Sequence, residues 1–211
     1  MNEFFLGSIV GSVQVLVGYP LDTIKTNLQT NKLGNMKYSI PRLYKGFKYP
    51  LFGNAIINSF AFGTTNYINS YANNYWVSGF FAGTLSSIII NPIELYKVRE
   101  QVLVNSPAHP FKGIVSTIAR ESIAMSIYFG SYHSFKKEYK YNPLLAGGLS
   151  GWLSWLFTYP IDVVKSRVQS DKCTTMMEGF KQGKLWKGFG LCSLRGVLVN
   201  SVGFWIYDYL Q

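Results

Sequence analysis

Pro20-Leu21-Asp22-Thr23-Ile24-Lys25, Pro92-Ile93-Glu94-Leu95-Tyr96-Lys97 and Pro160-Ile161-Asp162-Val163-Val164-Lys165 are one element written three times. The prolines stand 72 and 68 residues apart, and four residues after each lysine comes a glutamine: Gln29, Gln101 and Gln169. Thirteen and nine residues before each proline stand glycines, Gly7 and Gly11, Gly79 and Gly83, Gly147 and Gly151. A second element follows each first one: Tyr44-Lys45-Gly46, Phe111-Lys112-Gly113 and Trp186-Lys187-Gly188. Seven residues past its glycine lie Gly53, Arg120 and Arg195. One such element carries little weight, but the constellation three times in register is not coincidence. It reads as three units of about 70 residues, 1–72, 73–140 and 141–211, each with a proline-bearing odd helix and an even helix opened by aromatic-Lys-Gly.

Composition says where these helices live. The 211 residues suggest a single domain, 1–211. Charged residues make up 14% and apolar ones 48%, whereas a soluble domain is about 25% charged. Mean hydropathy is only +0.10, so helices that cross a bilayer must keep a polar side. Six stretches can span about 30 Å of hydrocarbon: 4–29, 50–72, 76–101, 112–137, 143–169 and 187–210. Each mixes Gly, Ser, Asn or Thr into its apolar background, as helices facing a wet interior do. The joining segments are short and polar, the longest at 30–43 and 170–185. The net charge of +10 gathers between the apolar stretches, a pattern for anionic lipid rather than nucleic acid. The fold class is therefore an all-α membrane protein, six transmembrane helices in three pseudo-symmetric two-helix repeats around a central cavity. Phe4 enters the first apolar stretch with no basic segment before it, so no cleaved signal peptide is expected.

Acid, Lys and Gln at spacings of three and four share one helical face. Pro20, Pro92 and Pro160 kink their helices, which can bring three helix ends onto one axis. Asp22, Glu94 and Asp162 then form a ring with Lys25, Lys97 and Lys165, either a permanent clasp or a gate; charges inside a membrane persist only when paired or wet. The GxxxG pairs read as devices for close helix approach. The aromatic-Lys-Gly triads offer a cation, helix-start N–H groups and an aromatic anchor; that suits a lipid phosphate, or an ordinary interface anchor. Cys173 and Cys192 lack metal spacing, His109 and His133 lack a ligand set, and no nucleophile–base grouping or phosphate loop appears. No cofactor, metal, catalytic residue or nucleic-acid partner is expected.

These repeats resemble the mitochondrial carrier family, with its pattern Pro-x-acid-x-x-basic-x-basic-x-Gln in all three units. Arg99 and Arg167 keep the second basic residue, where the first unit has Asn27. The resemblance implies an inner-membrane solute transporter that works by alternating access, not an enzyme, with six helices around a water-filled cavity and both termini toward the intermembrane space. It implies a monomer, a matrix gate made of the acid–lysine ring, Gln29, Gln101 and Gln169 as its braces, and cardiolipin at the aromatic-Lys-Gly sites. There are departures. Only 10 residues separate Gln101 from Phe111, so at least the second matrix helix looks lost. The aromatic-acid-x-x-basic pattern of the opposite gate is degraded: Tyr207-Asp208 ends at Gln211, Tyr132-His133 keeps only Lys136, and the first unit has Thr65, Asn66 and Asn69.

By the same resemblance the solute meets Gly53-Asn54, Arg120-Glu121 and Arg195 midway down the cavity. Arg120 and Arg195 can hold a carboxylate and Glu121 an ammonium; alternatively Arg120 and Glu121 merely neutralise nearby charge. Longer stretches resemble the branch for basic amino acids and carnitine or acylcarnitine. Trp155 shares a helical face with Asp162 and Gln169, and either packs or holds a quaternary ammonium. Glu121 is the one acid expected at mid-cavity, which argues against a dibasic solute. The leading reading is a carrier for an amino acid or a carnitine-like zwitterion. Its rivals are a nucleotide carrier and a non-transporting scaffold derived from a carrier.

Overall fold

The computed structural model describes residues 3–30 and 39–210. Six long helices carry the fold: α1 (Glu3–Gln29), α3 (Lys48–Ala72), α4 (Tyr75–Val102), α5 (Ile114–Lys137), α6 (Pro143–Gln169) and α8 (Phe189–Leu210). Two short ones, α2 (Ile40–Leu43) and α7 (Met176–Lys181), lie in the connections, and the described residues include no strand. At about 1.5 Å per residue, 22 to 28 residues reach across the hydrocarbon of a bilayer. Among the described residues only α4 is also uniformly apolar enough to read as a span from composition, with a mean hydropathy of 1.3 over its best window. The other long helices dilute their apolar faces with the polar residues that line the cavity.

The connections differ from the polar loops expected, since each of the two longest carries a short helix, α2 in 30–43 and α7 in 170–185. Segment 170–185 contains α7, started by Thr175, whose hydroxyl accepts from the Glu178 N–H at 3.3 Å, while Glu178 accepts from the Thr174 N–H at 2.9 Å. Thr175-Met176-Met177-Glu178 is close to a capping box, the sequence signal that marks this turn. Between α4 and α5 there is no helix, in keeping with the shortened second unit. A further correction concerns the aromatic-Lys-Gly triads. They do not open the even helices; each is a turn just ahead of one. Gly46, Gly113 and Gly188 have φ of 82°, 76° and 90°, a left-handed conformation that glycine adopts without strain.

Pro20, Pro92 and Pro160 all sit inside continuous helices. Proline deprives the carbonyl four residues earlier of its donor. At Pro20 that carbonyl belongs to Leu16, and the Tyr44 hydroxyl supplies the missing bond at 3.1 Å.

The GxxxG expectation holds in one unit and fails in another. A Cβ built at Gly79 would sit 2.5 Å from the Met125 carbonyl oxygen, and one at Gly83 would sit 2.7 Å from the Glu121 carbonyl carbon. α4 and α5 are thus packed backbone to backbone. Around Gly147 nothing lies within 4 Å, and Gly151 meets only Tyr128 at 4.0 Å. α8 packs on α1, where Gly18 faces Val199, and the Gly147 and Gly151 face of α6 is left without a close neighbour. The packing around Gly7 and Gly11 lies outside the described residues.

Candidate functional site: a ring of ion pairs beneath a charged cavity

The C-terminal halves of α1, α4 and α6 converge, and their charged faces close a ring. Lys25 Nζ of α1 meets Asp162 Oδ2 of α6 at 2.8 Å, Lys97 Nζ of α4 meets Asp22 Oδ2 of α1 at 3.1 Å, and Lys165 of α6 pairs with Glu94 of α4. Each lysine reaches the acid of a neighbouring odd helix, so one set of contacts is used three times. These side chains are mostly shielded; Lys25 and Asp162 are 10% and 13% exposed. In that setting each pair answers a desolvation cost that neither charge could meet alone.

A second ring runs the opposite way just beyond the first. Asn27 Nδ2 donates to the Gln101 carbonyl at 3.1 Å, Arg99 Nη1 to the Gln169 carbonyl at 3.4 Å, and Arg167 Nε to the Gln29 carbonyl at 3.2 Å. These carbonyls end α1, α4 and α6, where a helix has acceptors to spare and a partial negative charge. Asn27, the apparent departure from the basic pattern, therefore makes the same bond as its two arginine counterparts. Sequence reasoning noticed these three positions but gave them no role. The glutamines bridge the same helix pairs unequally. Gln29 Nε2 reaches Asp162 at 3.1 Å and so touches an ion pair, whereas Gln101 bonds Thr23 Oγ1 at 3.2 Å and Gln169 bonds Asn91 Oδ1 at 3.4 Å.

Next to the ring lies a cavity of about 410 Å³. Four carboxylates (Asp22, Glu94, Glu121 and Asp162) and five cations (Lys25, Lys97, Lys165, Arg120 and Arg195) line it, together with Asn54, Asn58, Met125 and Trp155. The structure therefore brings Arg120, Glu121, Arg195, Asn54 and Trp155 to one chamber from four helices, α3, α5, α6 and α8. Gly53 is the exception. It is buried against Ile93 of α4, 2.9 Å from where its Cβ would be, because its turn of α3 faces the neighbouring helix. Glu121 is 4% exposed at its side chain, paired with Arg120 and 3.3 Å from Lys165. The Trp155 ring already carries two protein cations, Lys25 Nζ at 4.3 Å and Arg120 at 4.8 Å from its centre.

The family profile described as Mitochondrial carrier protein matches residues 1–76 and 140–211. This chain belongs to that family. It is 33% identical to the human mitochondrial basic amino acids transporter over 80% of this chain and 72% of that protein, and 33% identical to its rat counterpart over 96% and 86%. It is 26% identical to the mitochondrial arginine transporter BAC2 of Arabidopsis thaliana over 98% and 89%. The relatives are transporters; the chain is accordingly an all-helical mitochondrial solute carrier and not an enzyme.

In this carrier the three aromatic-Lys-Gly turns are held by the residue before each proline. Tyr19 donates its hydroxyl to the Lys45 carbonyl at 2.6 Å, Tyr159 to the Lys187 carbonyl at 3.1 Å, and Asn91 Nδ2 to the Lys112 carbonyl at 3.3 Å. Tyr19 also stacks on Tyr44, and Tyr159 on Trp186. The sequence signal was a polar residue before all three prolines, which the reading of the motif passed over. The lysines are not equivalent. Lys45 is exposed, whereas Lys112 pairs with Asp171, which also accepts from Arg99 at 2.8 Å and from Ser106 at 3.1 Å. Burial works against the Asp171 carboxylate, but hydrogen bonds from Lys112, Arg99 and Ser106 hold its pKa below the usual range. This cluster fastens the short 103–113 connection to the end of α6.

At the opposite end of the bundle the described residues form no ion pair. His133 stacks flat on Tyr75, ring centres 3.2 Å apart, and Asn69 accepts from Ser78 at 3.3 Å. Thr65 is buried and turns back to the Ala61 carbonyl at 2.8 Å. The side chains of Tyr207 and Asp208 lie outside the described residues.

Proposed function

We propose that this carrier moves a basic amino acid across the mitochondrial inner membrane by alternating access. One observation carries the reading: Arg120, Arg195 and Glu121 stand in one chamber directly against a closed ring of ion pairs. Two guanidiniums can grip an α-carboxylate and an acid can take an ammonium. The ring serves as the matrix gate, Gln29, Gln101 and Gln169 brace it, and the state described is closed to the matrix. The absence of ion pairs among the described residues of the other end fits an outward-facing cavity. Asp22, Glu94 and Asp162 also line the chamber, so a second cationic group on the solute finds acids beyond Glu121. That removes the sequence argument against a dibasic solute, and the names of the relatives point the same way.

A nucleotide fits less well, because five cations face four carboxylates and little positive charge is left over for phosphates. A carnitine-like quaternary ammonium would have to take the Trp155 face from Lys25 and Arg120. Anionic phospholipid, cardiolipin in the inner membrane, binds at the aromatic-Lys-Gly turns, with the exposed Lys45 as a phosphate partner and Lys112 already engaged by Asp171.

The test is thermal unfolding of the purified carrier in detergent with cardiolipin, against arginine, lysine, ornithine, carnitine and ADP. A solute that binds the folded state raises its apparent stability by mass action. The expected result is a rise with basic amino acids and none with ADP; a rise with ADP alone would overturn the solute assignment.

A further inference from the structure

The ring has three sides, and they are not held alike. Between α1 and α4 the links are the Lys97–Asp22 pair, the Gln101–Thr23 bond and Asn27, whose neutral amide stands where the other two sides have an arginine. Lys97 is also the most exposed of the ring lysines, at 21% against 10% for Lys25 and 3% for Lys165. Between α1 and α6 Arg167 supplies the arginine, and Lys172 adds a bond to the Thr30 carbonyl at 3.1 Å. The side between α4 and α6 carries more. Beside the Lys165–Glu94 pair and the Arg99–Gln169 bond, Asp171, just past the end of α6, accepts from Arg99 of α4 and from Ser106 and Lys112 in the connection that follows it. Arg99 is fixed to that connection as well, Nη2 donating to Ser106 Oγ at 2.8 Å. Two residues past Gln29 and Gln101 the sequence has Asn31 and Leu103, neither of them charged.

The same side has a buried hub. Asn91 of α4 is fully buried; its Nδ2 donates to the Pro110 carbonyl at 2.8 Å, and its Oδ1 accepts from Thr117 of α5 at 2.6 Å and from Gln169 of α6 at 3.4 Å. One side chain thus joins α4, the 103–113 connection, α5 and α6. Further along, α5 closes on α4 backbone to backbone at Gly79 and Gly83, and Ser154 of α6 donates to the Ala124 carbonyl of α5 at 2.9 Å. α4 and α6 are therefore tied directly at their charged ends and through α5 along their length. We infer that the ring is a gate on two of its sides only: the Asp171 and Asn91 networks keep α4 clasped to α6 throughout the transport cycle, and the gate opens where α1 parts from both. Asp171 is then a positioning residue for transport. This inference rests on the alternating access proposed above and not on the choice of solute. Parting α4 from α6 would take Arg99, Ser106 and Lys112 away from Asp171 together, and hydrogen bonds that share one acceptor group support one another. Parting α1 leaves the second ring satisfied: Arg167 keeps the Gly179 and Gly183 carbonyls at 2.8 and 2.9 Å, and Asn27 keeps the Thr23 carbonyl at 2.8 Å.

The test locks the α4–α6 side covalently. Ser106→Cys/Asp171→Cys is made in a carrier with Cys173→Ala and Cys192→Ala, and placed in vesicles of phosphatidylcholine, phosphatidylethanolamine and cardiolipin. The Ser106 hydroxyl and the Asp171 carboxylate stand 3.1 Å apart, so two thiols there can join on oxidation with copper phenanthroline. Exchange of labelled arginine is read before oxidation, after it and after dithiothreitol, and is normalised to the joined fraction of folded carrier. The oxidised pair is expected to exchange arginine as fast as the reduced one. Thr23→Cys/Gln101→Cys, which spans the α1–α4 side between groups 3.2 Å apart, is expected to lose exchange on oxidation and to regain it on reduction. Oxidation that stops exchange in the first pair, or spares it in the second, overturns the inference. Should the first pair not fold or not join, Asp171→Asn takes its place. A contact kept through the whole cycle supports ground and transition states equally, so its loss lowers the melting temperature and leaves the maximal exchange rate unchanged; a changed maximal rate overturns the inference. Wild type that exchanges no basic amino acid would overturn the function proposed above and this inference with it, whereas exchange in the reduced first pair that oxidation abolishes overturns only the inference.

Discussion

Lys165→Met is expected to be the most destabilising single change in the gate. The Lys165 side chain is 3% exposed and serves two carboxylates, Glu94 and Glu121. Removing it strands Glu121, itself 4% exposed, on Arg120 alone and leaves Glu94 with no cation in the ring. Breaking a buried pair from one side costs about 3–5 kcal/mol, because the remaining charge is left desolvated. For a chain of this size that is on the order of 10 °C in melting temperature. Lys97→Met should cost less, since Lys97 is 21% exposed and Asp22 retains Arg195. The double variant Lys165→Met/Glu121→Gln should recover part of the loss by removing the stranded charge. Thermal unfolding in detergent with cardiolipin checks all three, and a Lys165→Met carrier that melts with wild type would show that the ring contributes nothing to stability.

The second large effect sets two glycines of the same motif against each other. At Gly83 an added methyl group would press on the Glu121 carbonyl group and come within 2.8 Å of Ser122 Cα. Those are backbone atoms, so no side-chain rotation relieves the clash. α4 and α5 must separate, and α5 carries Arg120 and Glu121. Overpacking of this kind costs about 1–3 kcal/mol or more, and here it also displaces the solute site, so Gly83→Ala should lose both stability and transport. At Gly147 the methyl group meets nothing within 4 Å. Gly147→Ala should be neutral or stabilising by up to about 1 kcal/mol, the helix-propensity gain of alanine over glycine. Equal melting temperatures for the two variants would contradict the packing described.

That contrast shows where sequence reading stops. Gly83 and Gly147 belong to the same GxxxG pair in two units, Gly79 with Gly83 and Gly147 with Gly151, and nothing local distinguishes the two pairs. The difference arises from what lies alongside: α5 covers Gly83, while the Gly147 face of α6 is left without a close neighbour. The acid–lysine ring was legible because a spacing of three within a helix fixes a face, and threefold repetition fixes the partner. Helix spans were legible for a similar reason, since a bilayer demands about 20 apolar residues. The second ring was not, because its acceptors are main-chain carbonyls of Gln29, Gln101 and Gln169, which no side-chain pattern announces. The misplacement of Gly53 has the same origin: the position was chosen by its offset from Gly46, but the turn of α3 that carries it points to Ile93 and gives the chamber to Asn54. Arg120 and Glu121 were found as a pair, but their ties to Asp162 and Lys165 depend on how far α5 leans toward α6.

The most direct test of the central claim is homo-exchange of labelled arginine by the wild-type carrier in cardiolipin-containing vesicles, with unlabelled lysine, ornithine, carnitine and ADP as competitors. The account predicts saturable arginine uptake that depends on internal arginine, is inhibited by lysine and ornithine, and is indifferent to ADP. Uptake no greater than in protein-free vesicles, or inhibition by ADP but not by lysine, would contradict it.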